Sequence, residues 1–204
     1  WSSDVCSSDL EHGTYIFNSK DLCLIHRIPD LYEAGIDSLK IEGRMKSVHY
    51  CATVAKVYRT AIDTYLKEGK DWYVRPEWIA ELEKISHRPY TDGFAEGRPD
   101  ETAQNYGKST NTQSHDFIGL VMSYNEEEKY VDLEQRNNFK VGDKVEFCQP
   151  KGELVETVIE KMTDEDGNPI DVAPHAQMKV RIYMDTPLEP YSMMRRECKP
   201  KEDE

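Results

Sequence analysis

No stretch of the 204 residues approaches the roughly 20 consecutive apolar side chains of a membrane-spanning helix, and the mean hydropathy is strongly polar. A helical membrane span is excluded. Cations are scarce: 26 Lys and Arg stand against 39 Asp and Glu, for a net charge of −13. This excludes a protein whose whole surface grips nucleic acid by neutralising phosphates, so any anion site must be local. Cysteine is sparse too. The five (Cys6, Cys23, Cys51, Cys148 and Cys198) are odd in number and widely spread, without Cys-x-x-Cys or Cys/His pairs at zinc spacing. No metal site is legible in them. Cys23 and Cys51 fall on apolar helical faces and read as small buried hydrophobes of a reducing cytosol, the mark of a cytoplasmic protein.

What remains is globular text, 32% charged, 38% hydrophobic and 10% aromatic, enough for one or two domains. Residues 1–10 stand apart from it. Trp-Ser-Ser-Asp-Val-Cys-Ser-Ser-Asp-Leu repeats Ser-Ser-Asp plus an aliphatic and has no basic n-region, apolar h-region or small-residue cleavage site. It resembles translated sequencing-adapter read-through, and is set aside as a non-native leader; the native beginning is expected upstream.

From Glu11 to Gly69 strand and helix alternate. Thr14-Tyr15-Ile16-Phe17 reads as a strand, Asn18-Ser19-Lys20-Asp21 as a helix start, Pro29 as a second start and Gly35 as a stop. Ser38-Leu39-Lys40-Ile41-Glu42 reads as a second strand. Ser47 then caps a long helix whose residues Cys51, Val54, Ala55, Tyr58, Ile62 and Tyr65 keep three-and-four spacing, and Gly69 ends it. Two βα units form a parallel pair, which is stable only in a sheet covered on both faces. Residues 11–94 are therefore read as the closing units of a truncated TIM-like barrel, a fold of about 250 residues. Within them lie a shorter helix over 71–86 and turn chemistry at His87-Arg88-Pro89-Tyr90-Thr91-Asp92-Gly93-Phe94.

Residues 95–114, polar and poor in apolar positions, read as a linker. Over 115–196 the text is all β, with strands at Phe117–Tyr124, Tyr130–Arg136, Lys144–Gln149, Val155–Met162, Met178–Met184 and Tyr191–Arg195 between turn signals. A small antiparallel β-barrel is expected, then a charged disordered tail over 197–204. The fold class is thus α/β plus all-β.

Chemistry concentrates at Ser38–Ser47. Alternation puts Leu39 and Ile41 on one face and Ser38, Lys40 and Glu42 on the other, a charged face that a buried parallel strand does not need. Gly43 permits a tight exit, and Arg44 and Lys46 arrive just before the Ser47-capped helix, whose free N–H groups favour anions. This reads as an anion cradle, with Lys40 and Glu42 as the catalytic pair and Arg44, Lys46 and Ser47 binding substrate. Asn18, Ser19, Lys20 and Asp21, at the end of the preceding strand, divide evenly between helix capping and substrate contact. A plainer arrangement also fits, in which Lys40 pairs with Glu42 and Arg44 and Lys46 are solvated. His26, His49 and His115 have no visible partner, although His49 could join the cradle; the acidic runs 126–128 and 164–166 read as solvated turns rather than metal loops.

These segments, together with Asn137-Asn138-Phe139-Lys140-Val141-Gly142-Asp143 and Ile170-Asp171-Val172-Ala173-Pro174-His175, resemble peptidase family U-32, the collagenase-like proteases, from Glu11 to about Arg196. The order is most similar to the branch of tRNA hydroxylation proteins, which help install 5-hydroxyuridine at the wobble position. The resemblance implies a TIM-like catalytic domain, tRNA and prephenate as substrates, and an iron–sulfur cluster on four cysteines. Those cysteines precede the segment matching Glu11, so the resemblance implies no cofactor within these residues and no activity from them alone. The family name also implies a peptidase, yet no Gly-x-Ser-x-Gly or His-Glu-x-x-His is present. Residues 111–204 carry 21 acidic and 12 basic side chains. A barrel so acidic is read as docking a protein or its own catalytic domain, or as a binding module that meets RNA through a small patch.

Overall fold

The computed structural model describes residues 19–99, 105 and 111–198. Its first part is helical, with one short parallel ladder. β1 (Asp21–Leu22) leads through a 3-10 turn at Ile25–Arg27 into α1 (Ile28–Glu33), where Pro29 stands in the first turn and needs no amide partner. α2 (Val48–Glu68) begins where Ser47 Oγ accepts the Tyr50 N–H at 3.2 Å, and ends at Gly69, whose φ of +59° a side chain would strain. α3 (Pro76–Glu83) follows, and β2 (Tyr90–Thr91) returns to pair in parallel with β1, Asp21 opposite Tyr90 and Leu22 opposite Thr91. Trp78, Leu82 and Ile85 pack on Ile25, Val57 and Ala61 to make the core.

Three expectations for this part are corrected. Asp21–Leu22 is strand rather than helix start, because its backbone finds Pro89 and Thr91: the Asp21 and Cys23 amides donate to their carbonyls at 2.9 Å. Ser38–Glu42 is irregular rather than extended in a sheet. No strand lies beside it among the described residues, and a lone strand leaves its backbone groups unpaired. Leu39 and Ile41 are accordingly 39% and 41% exposed. On α2 the buried residues are His49, Thr53, Val54, Val57 and Ala61, one step round from the expected stripe, and Cys51 is exposed. The parallel pairing amounts to two residues per strand among the described residues, which by itself does not establish a TIM-like barrel. The expected strand at 14–17 and the tail from 199 lie outside the described residues, as does half of the expected linker.

The second part is antiparallel. β3 (His115–Asn125), β4 (Tyr130–Gln135), β5 (Phe139–Lys140), β6 (Lys144–Cys148), β7 (Val155–Val158), β8 (Met162–Asp164), β9 (Val172–Ala173), β10 (Lys179–Tyr183) and β11 (Met193–Glu197) follow in order. Seven of them form one sheet in the order β7-β6-β11-β3-β4-β10-β8, and β5 pairs with β9. Ile118, Val121, Leu133, Phe147, Ile182 and Met194 fill its concave side. The β3–β4 hairpin closes on Asn125, whose Oδ1 accepts the amides of Glu127 and Glu128 at 3.0 and 2.9 Å.

The sheet is a curled half-barrel rather than a closed barrel, since β7 and β8 are its two edges. The expected strand Val155–Met162 breaks for the same reason. Ile159 exchanges backbone bonds with Gly142 and Asp143, and the chain crosses from the β6 edge to the β10 edge.

A buried ion network docks the sheet on the helices. Arg195 on β11 is fully buried; its Nη2 donates to both Glu81 oxygens on α3, at 2.8 and 2.7 Å, and its Nε to Glu146 on β6. Lys84 bridges the same acids, at 2.8 Å from Glu81 and 3.0 Å from Glu146, and His115 stands 3.4 Å from Glu146. Lys56 on α2 donates to the Gln149 and Gly152 carbonyls at 2.7 and 3.3 Å, and buried His49 stacks on Phe117 with ring centres 5.7 Å apart. His49 and His115 therefore have partners that sequence did not reveal. No helix among the described residues is long and apolar enough to cross a membrane.

Candidate functional site

The β1–β2 ladder sets one carboxylate among cations. Asp21 Oδ2 accepts the Arg88 backbone N–H at 3.0 Å; Oδ1 accepts Arg88 Nε at 3.0 Å and lies 2.9 Å from Nη2; and Lys46 Nζ stands 3.6 Å from Oδ2. Burial alone would raise the Asp21 pKa, but the Arg88 bonds and the Lys46 charge outweigh it and hold the carboxyl below its ordinary range. Lys46 Nζ also donates to the Ser86 carbonyl at 2.9 Å and lies 5.1 Å from the centre of the Tyr50 ring. Burial, and then the negative charge of Asp21, raise the Tyr50 phenol.

The residues expected to make the cradle are distributed around this centre. Lys46 joins it. Ser47 is occupied as the α2 cap, and Glu42 Oε1 accepts the Arg44 backbone N–H at 2.8 Å, closing a turn in which the Lys46 amide donates to Gly43 at 3.0 Å. Gly43 lies close against α2, where a Cβ would stand 2.5 Å from Cys51 Sγ and force that side chain to turn away. Arg44 and Lys40 project from this segment, both exposed and neither with a carboxylate partner among the described residues; Lys20, half-buried beside Asp21, has none either. Lys40 and Glu42 form no ion pair. Asn18 lies outside the described residues.

Reading the sequence weighed Asp21 only as a cap or substrate contact, and missed its partner Arg88 and a second ionic group. His26 Nε2 lies 2.7 Å from Asp92 Oδ2, and Arg27 Nε and Nη2 each donate to that oxygen at 3.1 Å while Arg27 also pairs with Glu96 and Asp30. The His26 bond, with Arg27, holds the Asp92 carboxyl low. Asp21 and Arg88 are 67 positions apart, so only the ladder brings them together. The signal that could have found them was the turn segment at 87–94, noted for its composition but given no strand.

Between α1, residues 36–41 and α2 runs an apolar groove of about 590 Å3, lined by Tyr32, Ile36, Leu39, Ile41, Ile62 and Leu66. It takes up part of the α2 stripe that sequence assigned to the core. The four described cysteines lie on separate elements: Cys23 is bonded to Tyr58, Cys51 to Gly43 and Cys148 to Lys56. Among the described residues no group of three His, Cys, Asp or Glu side chains is arranged to hold a metal, so these cysteines do not fit an iron–sulfur cluster.

Two family models match in tandem, that of peptidase family U32 over residues 2–105 and that of the peptidase family U32 C-terminal domain over residues 113–195. The chain belongs to peptidase family U32. Among its U32 relatives, tRNA hydroxylation protein P1 of Bacillus subtilis (strain 168) is 44% identical over 186 residues, covering 91% of this chain and 44% of the relative. The tRNA hydroxylation protein P of Escherichia coli (strain K12) is 40% identical over 169 residues, 80% of this chain and 35% of that protein. A collagenase of Porphyromonas gingivalis is 30% identical over 155 residues, 74% and 42% respectively. The chain thus spans less than half the length of these U32 relatives. A solved structure, the C-terminal domain of a Geobacillus thermoleovorans protein assigned to the U32 peptidases, is 46% identical over 40% of this chain and 92% of its own, with a TM-score of 0.39.

Proposed function

We propose that this chain is the C-terminal part of a prephenate-dependent enzyme that hydroxylates the wobble uridine of tRNA. The observation that carries the reading is the Asp21–Arg88–Lys46 cluster beside the Glu42–Ser47 turn, in a chain whose relatives bear the name of tRNA hydroxylation proteins. Three fixed donors around a single carboxylate preset the positive side of the cluster. Arg44 supplies a free planar guanidinium, suited to a dicarboxylate such as prephenate or to an RNA phosphate. Lys40 and Glu42 are the proposed catalytic pair; Arg44, Lys46, Ser47, Asn18 and Lys20 bind substrate. The apolar groove along α2 is where further α/β units of a TIM-like barrel would pack, and those units would carry the cysteines of an iron–sulfur cluster. The protein works in the cytoplasm.

The test is made in the complete gene product. Arg44→Ala or Glu42→Ala lowers 5-hydroxyuridine in cellular tRNA, read by mass spectrometry, by roughly tenfold or more, the worth of one contact to a charged group. Unchanged modification in both variants removes these residues from the site. Cleavage of gelatin by the intact protein, with tRNA unmodified, would instead favour the peptidase reading that the Porphyromonas relative suggests.

A further inference from the structure

Directly after β2 the chain holds an aromatic ring in water. Phe94 is 76% exposed, yet its backbone is fixed: the Ala95 amide donates to Asp92 at 3.2 Å, the Gly97 amide to Phe94 at 3.1 Å, and the Gly93 amide to Thr91 Oγ1 at 3.2 Å. Asp92 is bound by His26 and Arg27, and Arg27 reaches across to Glu96, so anchored acids stand two positions before and two after Phe94 in the chain. At Gly93 φ is +60°, and a Cβ there would meet Leu22 Cδ1 at 2.9 Å; Leu22, itself 63% exposed, lies directly beneath the turn. The scaffold keeps Phe94 outward in one place, which is what a preformed contact requires.

The charges around it are unusual for this protein. Of its ten arginines, eight pair with a carboxylate; Arg44 and Arg98 do so with none among the described residues. Arg98 follows Phe94 by four positions. Arg44 precedes Lys46 by two, and Lys46 reaches Asp21, the neighbour of Leu22. In a chain of net charge −13, Arg98 thus lies four positions after the exposed ring and Arg44 two positions before the lysine that reaches the ladder, neither with an acid among the described residues. An aromatic face beside free guanidinium groups suits unstacked bases on a phosphate backbone, whereas an apolar protein segment has no use for the charges.

We propose that Phe94 is a stacking platform for a base of the RNA substrate, with Arg44 and Arg98 contacting the adjoining phosphates. This rests on the tRNA reading above and names the side chain that would receive the base. The sheet contributes nothing to this contact, consistent with its acidic surface.

The test uses the complete gene product and an anticodon stem-loop bearing a wobble uridine, with binding read by fluorescence anisotropy at fixed low salt. Phe94→Leu weakens binding about tenfold or more, whereas Phe94→Tyr binds as the wild type does. Phe94→Trp emission is quenched on adding the stem-loop, and the melting temperatures of all three variants stay at the wild-type value. Wild-type affinity in Phe94→Leu overturns the inference, and so does a fall in its melting temperature of the size expected for a core residue, which would mean that protein covers the ring. If Phe94→Leu also modifies tRNA normally, the inference falls while the tRNA reading stands. If the wild-type protein neither binds the stem-loop nor supports 5-hydroxyuridine formation, the reading falls and this inference with it.

Discussion

Arg195→Ala is expected to cost about 3–5 kcal/mol of folding stability, more than any other charge reversal or deletion on the sheet. Two acids, Glu81 and Glu146, and two cations, Lys84 and Arg195, balance in the buried joint with His115 neutral. Deleting the guanidinium leaves an uncompensated negative charge there and a void behind it. Lys84 cannot cover the loss, since it already bridges both acids. Arg195→Lys restores the charge but not the planar fork that serves Glu81 through Nη2 and Glu146 through Nε, so an intermediate loss of about 1–2 kcal/mol is expected. Replacing Arg195, Glu81 and Glu146 together by apolar residues of similar volume recovers most of the stability, because no buried charge is then stranded. Urea denaturation of the complete gene product measures all three. A cost below 1 kcal/mol for Arg195→Ala would show that the joint is open to water.

The second large effect is acid lability. Burial, reinforced by the positive charge of Arg195, lowers the His49 pKa from 6.5 to about 4, against the opposing pull of Glu81 and Glu146. The folded protein therefore binds fewer protons than the unfolded chain below pH 6.5. Stability is intact above that pH and falls progressively as the pH drops towards 4, by roughly 3 kcal/mol in all. His115, also lowered first by burial, acts in the same direction. The low carboxyls Asp21, Glu81 and Asp92 add their own loss only in more acid solution. His49→Phe keeps the stack on Phe117 and should flatten the profile between pH 6.5 and 4.5. An equal slope in that variant would assign the lability to other groups.

Local signals were the legible ones. Ser47 and Gly69 mark the ends of α2 within a residue, because a cap and a left-handed stop act on their immediate neighbours. The strands of the sheet fall close to their expected places for a similar reason, as Asn125 and Gly167 dictate turns irrespective of what lies across the sheet. Ser38–Glu42 failed because alternation describes a strand only when a neighbour takes up its hydrogen bonds. Asp21 and Leu22 failed in the opposite sense: two residues are too few for any period, and their partner stands at Tyr90 and Thr91. Arg195 was invisible inside Met193-Met194-Arg195-Arg196, which reads as the end of a strand running into solvent. Its burial depends on Glu81, 114 positions away. In the candidate site, Lys46 was legible from its motif and Asp21 as a residue at a strand end, but their pairing and Arg88 were not.

One small contact separates two duties of the chain. His87 and Thr112, 25 positions apart, exchange backbone hydrogen bonds at 3.0 and 2.8 Å, so that the chain connecting them is tied at its neck. Doubling the length of such a loop costs only about 0.6 kcal/mol in closure entropy. The bridge therefore holds the entry to the sheet beside the end of α3, whatever length of chain it closes.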